Sequence, residues 1–175
     1  MTQKFSQAST VTPSLKRRLI CMIYEAILLF GVIFVADLIF DVWTQSRHAL
    51  TLRHARELWL FIVIGAYFVF FWSRSGQTLA MKTWHIRVTD KERQKLPLPK
   101  AIVRYFLAWM WFLPGLAIAA QFELKSWSSI TVVAIGMALW ALTALFDKDK
   151  QFLHDKLAKT RLIHVELDRA FTQKI

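Results

Sequence analysis

The chain is poor in cysteine and in negative charge. Cys21 is its one cysteine, which excludes an intramolecular disulfide framework and any cysteine-based zinc ribbon. Asp and Glu total 12 against 23 Lys and Arg, a formal net charge of +11. No HExxH, CxxC, Walker A, GxGxxG or GxSxG pattern occurs, so nothing signals an enzyme or a bound cofactor, and neither is expected. His48 and His54 stand six residues apart, which is not a helical ligand spacing, so no metal site is expected. What is abundant is apolar bulk. The set AVILMFWYC makes up 55% of the 175 residues, with 14 Phe and 8 Trp, and the mean hydropathy is +0.36. A soluble domain runs at about 45–50% apolar even with Gly counted. Apolar bulk with strong basicity excludes a disordered tail and argues against an ordinary soluble enzyme. A small multi-span membrane protein and a basic nucleic-acid binder with a large core remain.

The apolar residues sit in blocks. Leu19–Val42 is interrupted only by Glu25, Asp37 and Asp41, and Leu58–Trp72, Tyr105–Phe122 and Ser126–Phe146 carry no charge. A bilayer core takes about 20 helical residues. The second block is short and lengthens if Arg56 and Glu57 lie in the headgroup zone, with Arg56 snorkelling. The expected architecture is an all-α membrane bundle of four helices, near 17–42, 56–72, 101–121 and 127–146. The first block is too long for a signal peptide and lacks a cleavage pattern, so it is expected to persist as a helix, with Ser14 as N-cap.

Charge sets the orientation. With four spans, the termini and the middle loop share one side, which holds 19 Lys and Arg against 4 on the other. The positive-inside rule places both termini in the cytoplasm. Basic residues facing anionic lipid then account for the net charge without nucleic acid, which is not expected as a partner. Trp43, Trp59, Trp72 and Trp127 stand near block ends as an interfacial belt, whereas Trp109, Trp111 and Trp140 stand inside blocks as packing residues.

Residues 84–89 alternate in strand fashion, and so do residues 160–166. Both fall on the cytoplasmic side and are expected to pair as a small β element. Pro97 and Pro99 bracket an extended stretch before the third helix. Residues 1–12 are expected to be a flexible segment, 13–166 one membrane domain and 167–175 a tail.

Ionisable groups within spans cost about 2.5–3.5 kcal/mol at a helix centre and need a partner or a use. Glu25 follows Arg18 by seven residues on one helical stripe, roughly 10 Å along the axis, so the two do not touch without bending together. Glu25 is either a proton- or cation-binding carboxylate or a clamp that pairs with a cation from another segment. Asp37 and Asp41 lie on a different face and are expected to be interfacial, facing Arg47 or Arg53. Arg104 enters the third helix, either snorkelling or reaching a phosphate or carboxylate.

Three stretches together resemble the RDD family of small bacterial membrane proteins. The first is Arg17-Arg18-Leu19-Ile20-Cys21-Met22-Ile23-Tyr24-Glu25, where the family has paired arginines and then an aspartate. The second is Gly76-Gln77-Thr78-Leu79-Ala80-Met81-Lys82 with Ile86-Arg87-Val88. Here Ala80 and Met81 replace the family's glycine and lysine, and Lys82 follows. The third is Phe146-Asp147 with Leu153-His154-Asp155-Lys156-Leu157-Ala158-Lys159-Thr160, which matches the family ending at seven ordered positions.

The resemblance spans roughly residues 13–165. It places the named polar residues on Arg17 or Arg18, on Glu25 and on Asp155, with Asp147 as companion. It implies a bacterial inner-membrane protein with a transport-related activity, a cation/proton exchanger using Na+ or H+ or a transporter subunit. The alternative is a non-catalytic scaffold or assembly factor for a partner complex. Membrane lipid and a homo-oligomeric or membrane-protein partner are the expected associations. Arg17, Arg18, Glu25, Arg104, Asp147 and Asp155 are the expected polar network. Whether it locks helix ends together or gates an ion stays open at this level.

Overall fold

The computed structural model describes residues 12–45, 52–90, 95–124, 127–146 and 151–165. Residues 1–11, the 167–175 tail and Asp147 lie outside the described residues. Thr12 belongs to the ordered part, where its hydroxyl accepts a hydrogen bond from Gln151 Nε2 at 3.2 Å.

Helix α1, Leu15–Thr44, starts at Ser14, whose hydroxyl accepts from the Arg17 amide at 3.3 Å. That bond satisfies one of the orphan donors of the first turn. Its 30 residues rise about 45 Å, more than the roughly 30 Å of a hydrocarbon core. Helix α2, Arg53–Arg74, packs along α1. Trp59 Nε1 donates to the Ala36 carbonyl at 2.9 Å and joins the C-terminal half of α1 to the start of α2. Asp37 and Asp41 were expected to face Arg47 or Arg53; Arg47 lies outside the described residues, and Arg53 does not meet them. Arg56 bonds both, at 2.6 and 2.5 Å, because α2 begins at Arg53 and its next turn brings Arg56 back toward α1. Arg53 turns to Glu57 instead, at 2.8 Å.

Helix α4, Leu98–Ala108, begins three residues earlier than the expected 101. Pro99 sits in its first turn, where a missing N–H costs nothing. The expected continuous helix over 101–121 is broken. A 3₁₀ turn at Trp109–Trp111 leads into α5, Leu113–Gln121, and the two parts bend by 41°. Pro114 is the physical cause, since it supplies no N–H to the preceding turn and its ring crowds the carbonyl four residues back. Helix α6, Trp127–Phe146, returns along α5. Gly115 permits their close approach, because a Cβ there would stand 2.7 Å from Val133 Cα. Among the described residues, α1 and α2 are long and apolar enough to cross a membrane, and the bent α4–α5 pair is a third if taken as one span.

One end of the bundle is closed by short elements. Helix α3, Leu79–Thr83, is N-capped by Thr78, whose hydroxyl accepts from the Met81 amide at 3.2 Å. Strand β1, Ile86–Asp90, pairs antiparallel with β2, Thr160–His164, in register Val88↔Leu162. Helix α7, Leu153–Leu157, precedes β2. The ribbon is shorter than expected at Trp84 and His85, because Trp84 closes α3 and His85 takes a left-handed conformation, φ 54°.

A lone two-stranded ribbon is marginal. Here both edges are satisfied by glutamines. Gln77 Nε2 donates to the Ile86 carbonyl at 2.7 Å. Gln151 accepts from the Leu162 amide at 3.0 Å and donates to the Leu162 carbonyl at 3.2 Å. Gly76 makes the approach of α2 to β1 possible. Its φ is +72°, and a Cβ would lie 2.6 Å from the Val88 carbonyl. The same strand residue binds Gly76 directly, with the Val88 amide donating to the Gly76 carbonyl at 2.8 Å. Ile86, Val88 and Leu162 bury their side chains against Trp72, Met81 and Phe152.

The tryptophans divide by depth. Trp43 and Trp127, expected in an interfacial belt, are exposed at helix ends. Trp72 is not part of a belt: it is buried beneath a guanidinium described below.

Candidate functional site

Two polar clusters form where the helices meet the ribbon. The first is built on Arg104 of α4. Its side chain is buried, its Nη1 forms an ion pair with Asp155 Oδ1, and it donates to Thr160 Oγ1 at 2.8 Å. Its guanidinium lies 4.8 Å above the Trp72 ring. Asp155 is fully buried on α7. One arginine therefore holds α4 to both α7 and the start of β2. A carboxylate, a hydroxyl and an aromatic face offset part of the cost of burying this guanidinium, while Arg104 Nε and Asp155 Oδ2 are buried without a hydrogen bond among the described residues.

His154, beside Asp155, is also buried. Its Nδ1 accepts from Trp111 Nε1 at 2.7 Å. An indole can only donate, so the neutral ring carries its proton on Nε2, which lies 3.5 Å from Asp155 Oδ1. Burial pushes the His154 imidazole well below its ordinary value of 6.5, and the positive charges of Arg104 and Arg18 push in the same direction. The fold thus keeps His154 neutral.

The linkage follows. Above pH about 6.5 neither the folded nor the unfolded chain holds this proton, and the stabilisation is complete. Below that, the unfolded chain binds it first, so stability is lost as pH falls toward the folded pKa. We expect the melting temperature of the detergent-solubilised protein to drop between pH 7 and 5, with a shallower slope in His154→Asn. Equal slopes would remove His154 from this role.

Arg18 of α1 reaches the same cluster. It is buried, with its guanidinium 4.5 Å above the Phe152 ring, and Phe152 stacks on His154 with centroids 5.6 Å apart. Arg17 turns the other way and contacts His164 Nε2 through its Nη1, which ties α1 to β2.

The second cluster is Glu25. It is buried about two turns further along α1. Its Oε1 accepts from Tyr67 Oη at 2.7 Å, and its Oε2 accepts from Thr78 Oγ1. Both oxygens of Glu25 thus meet hydroxyl donors, one from α2 and one from the turn that starts α3. Arg104 and Asp155 come together directly, Arg18 joins them through Phe152 and His154, and Glu25 is held separately.

Both clusters border one cavity of about 1100 Å³, with Arg18, Glu25, Arg104 and His154 in its wall. The rest of the wall is mainly apolar and comes from both sides of the bundle: Leu19, Met22 and Ala26 of α1, and Met137, Ala138 and Leu142 of α6.

Tyr67, Thr78, Trp111, His154 and Thr160 complete these clusters and were not expected as site residues. Tyr67 carried a signal: it is the one hydroxyl in the uncharged stretch Leu58–Trp72, and a buried hydroxyl needs a partner. Trp111 carried none.

No curated protein and no solved structure matched the chain. The model of the RDD family matches residues 12–159. That match takes in the paired arginines at the start of α1, the Gly76–Thr78 turn that meets Glu25, and the Leu153–Lys159 segment that carries the Arg104 partner; the chain belongs to the RDD family.

Proposed function

We propose that this protein is a four-span inner-membrane protein with both termini in the cytoplasm, transport-related and non-catalytic, in which Glu25 exchanges a proton for a monovalent cation. In this reading α4 and α5 form one bent span and α6 the fourth. The observation that carries it is the surround of Glu25: a buried carboxylate on a cavity wall with the Tyr67 and Thr78 hydroxyls at its two oxygens. An ionisable group at membrane depth marks an ion or proton path by default. Carboxylate and hydroxyl oxygens suit a hard cation, and the same carboxylate oxygens bind a proton, so the two compete. Four helices form a thin path, and the carrier is read as a homo-oligomer or a subunit with a membrane-protein partner.

The test is Na+- or K+-dependent proton movement in everted vesicles from cells making wild-type protein, Glu25→Gln or none, at equal expression. The expected result is exchange in wild type and none above empty vesicles in Glu25→Gln. Absence of exchange in wild type overturns the antiport reading for these ions.

A second reading, a scaffold that assembles a partner complex, draws on a different observation: Arg104 and Arg17 fasten α4 and α1 to the α7–β2 segment. It predicts that Glu25→Gln leaves flux at the empty-vesicle level in both proteins and instead weakens recovery of the partner by cross-linking.

A further inference from the structure

We infer that the cleft between α1 and α6 takes a hydrocarbon chain of a bilayer phospholipid, which enters sideways from the membrane and is bound without selection of its head group. Three observations converge on it. The first is where the cavity opens. Met22, Ile23 and Ala26 of α1 and Ala138 and Leu142 of α6 line it, yet all five are also exposed. Residues that line a cavity and are exposed as well mark its mouth. Helix α1 is long and apolar enough to cross a membrane, so a mouth on its flank faces hydrocarbon. Helix α1 packs on α2 and α3, while α6 packs on α5 and the 3₁₀ turn. The opening lies between these two halves, and Ala26 and Ala138 contribute only a methyl group each to its lips.

The second observation is what the wall offers a ligand. Leu29, Ile64, Phe68, Phe112 and Met137 give it an apolar lining. The polar groups gather toward the ribbon and α7 and are engaged within the protein. Arg104 holds Asp155 and Thr160, His154 accepts from Trp111, and Glu25 accepts from Tyr67 and Thr78. Arg18 lies over the Phe152 ring. The two guanidiniums of the wall, Arg18 and Arg104, are matched in formal charge by Glu25 on the same wall and by Asp155 behind it. The cleft therefore has no net charge with which to choose between an anionic and a zwitterionic head. Recognition falls to the apolar lining.

The third observation is size. At about 1100 Å³ the space exceeds the range of about 300–1,000 Å³ for small-molecule sites. Left empty, it would deny its lining atoms the dispersion contacts of a close-packed interior. Water is a poor filling, because apolar cavities stay dry. A lipid chain is as apolar as leucine, so it passes from the bilayer into the cleft without a change of polarity and supplies the missing contacts. This inference rests on the membrane reading of α1 and not on ion exchange at Glu25, and either can fail alone.

The test uses the full chain in phosphatidylcholine nanodiscs in which a fraction of the lipid carries brominated chains. Bromine quenches tryptophan on contact. Trp72, Trp109 and Trp111, three of the eight tryptophans, line the cavity. Trp72 and Trp111 are buried, so a lipid chain meets them only from within the cleft. Wild type is expected to be quenched more deeply than Ala26→Phe with Ala138→Phe, whose added rings close the mouth. The closed variant should keep only the quenching of tryptophans outside the cleft. Brominated phosphatidylglycerol at the same fraction should quench wild type to the same depth as brominated phosphatidylcholine.

Equal quenching of wild type and the closed variant overturns the inference, whether the cleft is then empty or held by a second copy of the chain. An excess for phosphatidylglycerol that the closed variant removes also overturns it, since the head group would then be recognised. So does quenching of wild type by water-soluble acrylamide that the closed variant loses, which would make the cleft a water-filled space. If the closed variant fails to fold by circular dichroism, native mass spectrometry of wild type decides instead. One phospholipid retained per chain from phosphatidylcholine and phosphatidylglycerol discs alike supports the site, and no retained lipid overturns it.

Discussion

Arg104→Met is expected to destabilise the protein by about 3–5 kcal/mol, read as a lowered denaturation midpoint of the purified chain in detergent. The substitution preserves most of the side-chain volume, so packing changes little. It leaves Asp155, which is fully buried, without the cation that balances it. It also strips the donor from Thr160 Oγ1 and the cation from the face of Trp72. Arg104→Lys should fall between the two. An ammonium can reach the carboxylate but has no planar fork with which to hold Asp155 and Thr160 together.

The double variant Arg104→Met with Asp155→Leu is the informative comparison. Removing both charges ends the desolvation penalty, and such replacements are often neutral or stabilising. The double variant should therefore recover most of the loss. If it is as unstable as Arg104→Met alone, the pair is not an energetic unit and the short elements are held by their apolar contacts.

Thr78→Val is the second large effect, at about 2.5–4 kcal/mol. One hydroxyl does two jobs. It donates to Glu25 Oε2 and it accepts from the Met81 amide at the start of α3. A lost hydrogen bond to a charged group is worth about 1.5–3 kcal/mol, and a lost N-cap about 1 kcal/mol. Valine is nearly isosteric, so the measured loss reports the hydroxyl rather than a cavity. Thr78→Ser keeps both bonds and should stay close to wild type. Amide exchange separates the two losses: faster exchange over Leu79–Thr83 reports the cap, and a drop in the global midpoint reports Glu25. A Thr78→Val protein within about 0.5 kcal/mol of wild type, the range of an uninvolved surface change, would mean that Tyr67 alone satisfies the carboxylate. Tyr67→Phe is the matched variant, since it removes the other donor at 2.7 Å and no cap.

The elements that the sequence revealed are those whose signal is local. Unbroken apolar stretches located α1, α2 and α6, and for α6 the expected 127–146 coincides with the helix. Ser14 was readable as an N-cap because one accepting side chain three residues before the donating amide defines the motif. Alternation at period two marked both strands. The third helix went wrong for a local reason too. The apolar run masked Pro114, and Pro99 was taken as a break where it is a first-turn residue. The rule for both is the same: proline is harmless in a first turn and disruptive after it.

The pairings across the bundle were not readable. Arg56 rather than Arg53 meets Asp37 and Asp41, because the choice depends on where α2 begins and how it rotates against α1. Arg104 and Asp155 are 51 positions apart in the chain, and nothing in their spacing joins them. Only packing α4 against α7 does so. Glu25 was identified as a group in need of a partner, since a carboxylate far from either end of an apolar stretch states the problem in its own sequence. Its solution, two hydroxyls from other elements, required the fold.

Sequence alone determined that this is an apolar, basic, helical chain of the RDD family with a short ribbon, because composition, run length and local motifs are additive along the chain. Tertiary structure decided that Arg18, Arg104 and His154 share one wall with Glu25, that a cavity lies between α1 and α6, and that His154 is held neutral. Those properties depend on desolvation and on distances between residues far apart in sequence, and both come into being only when the helices pack.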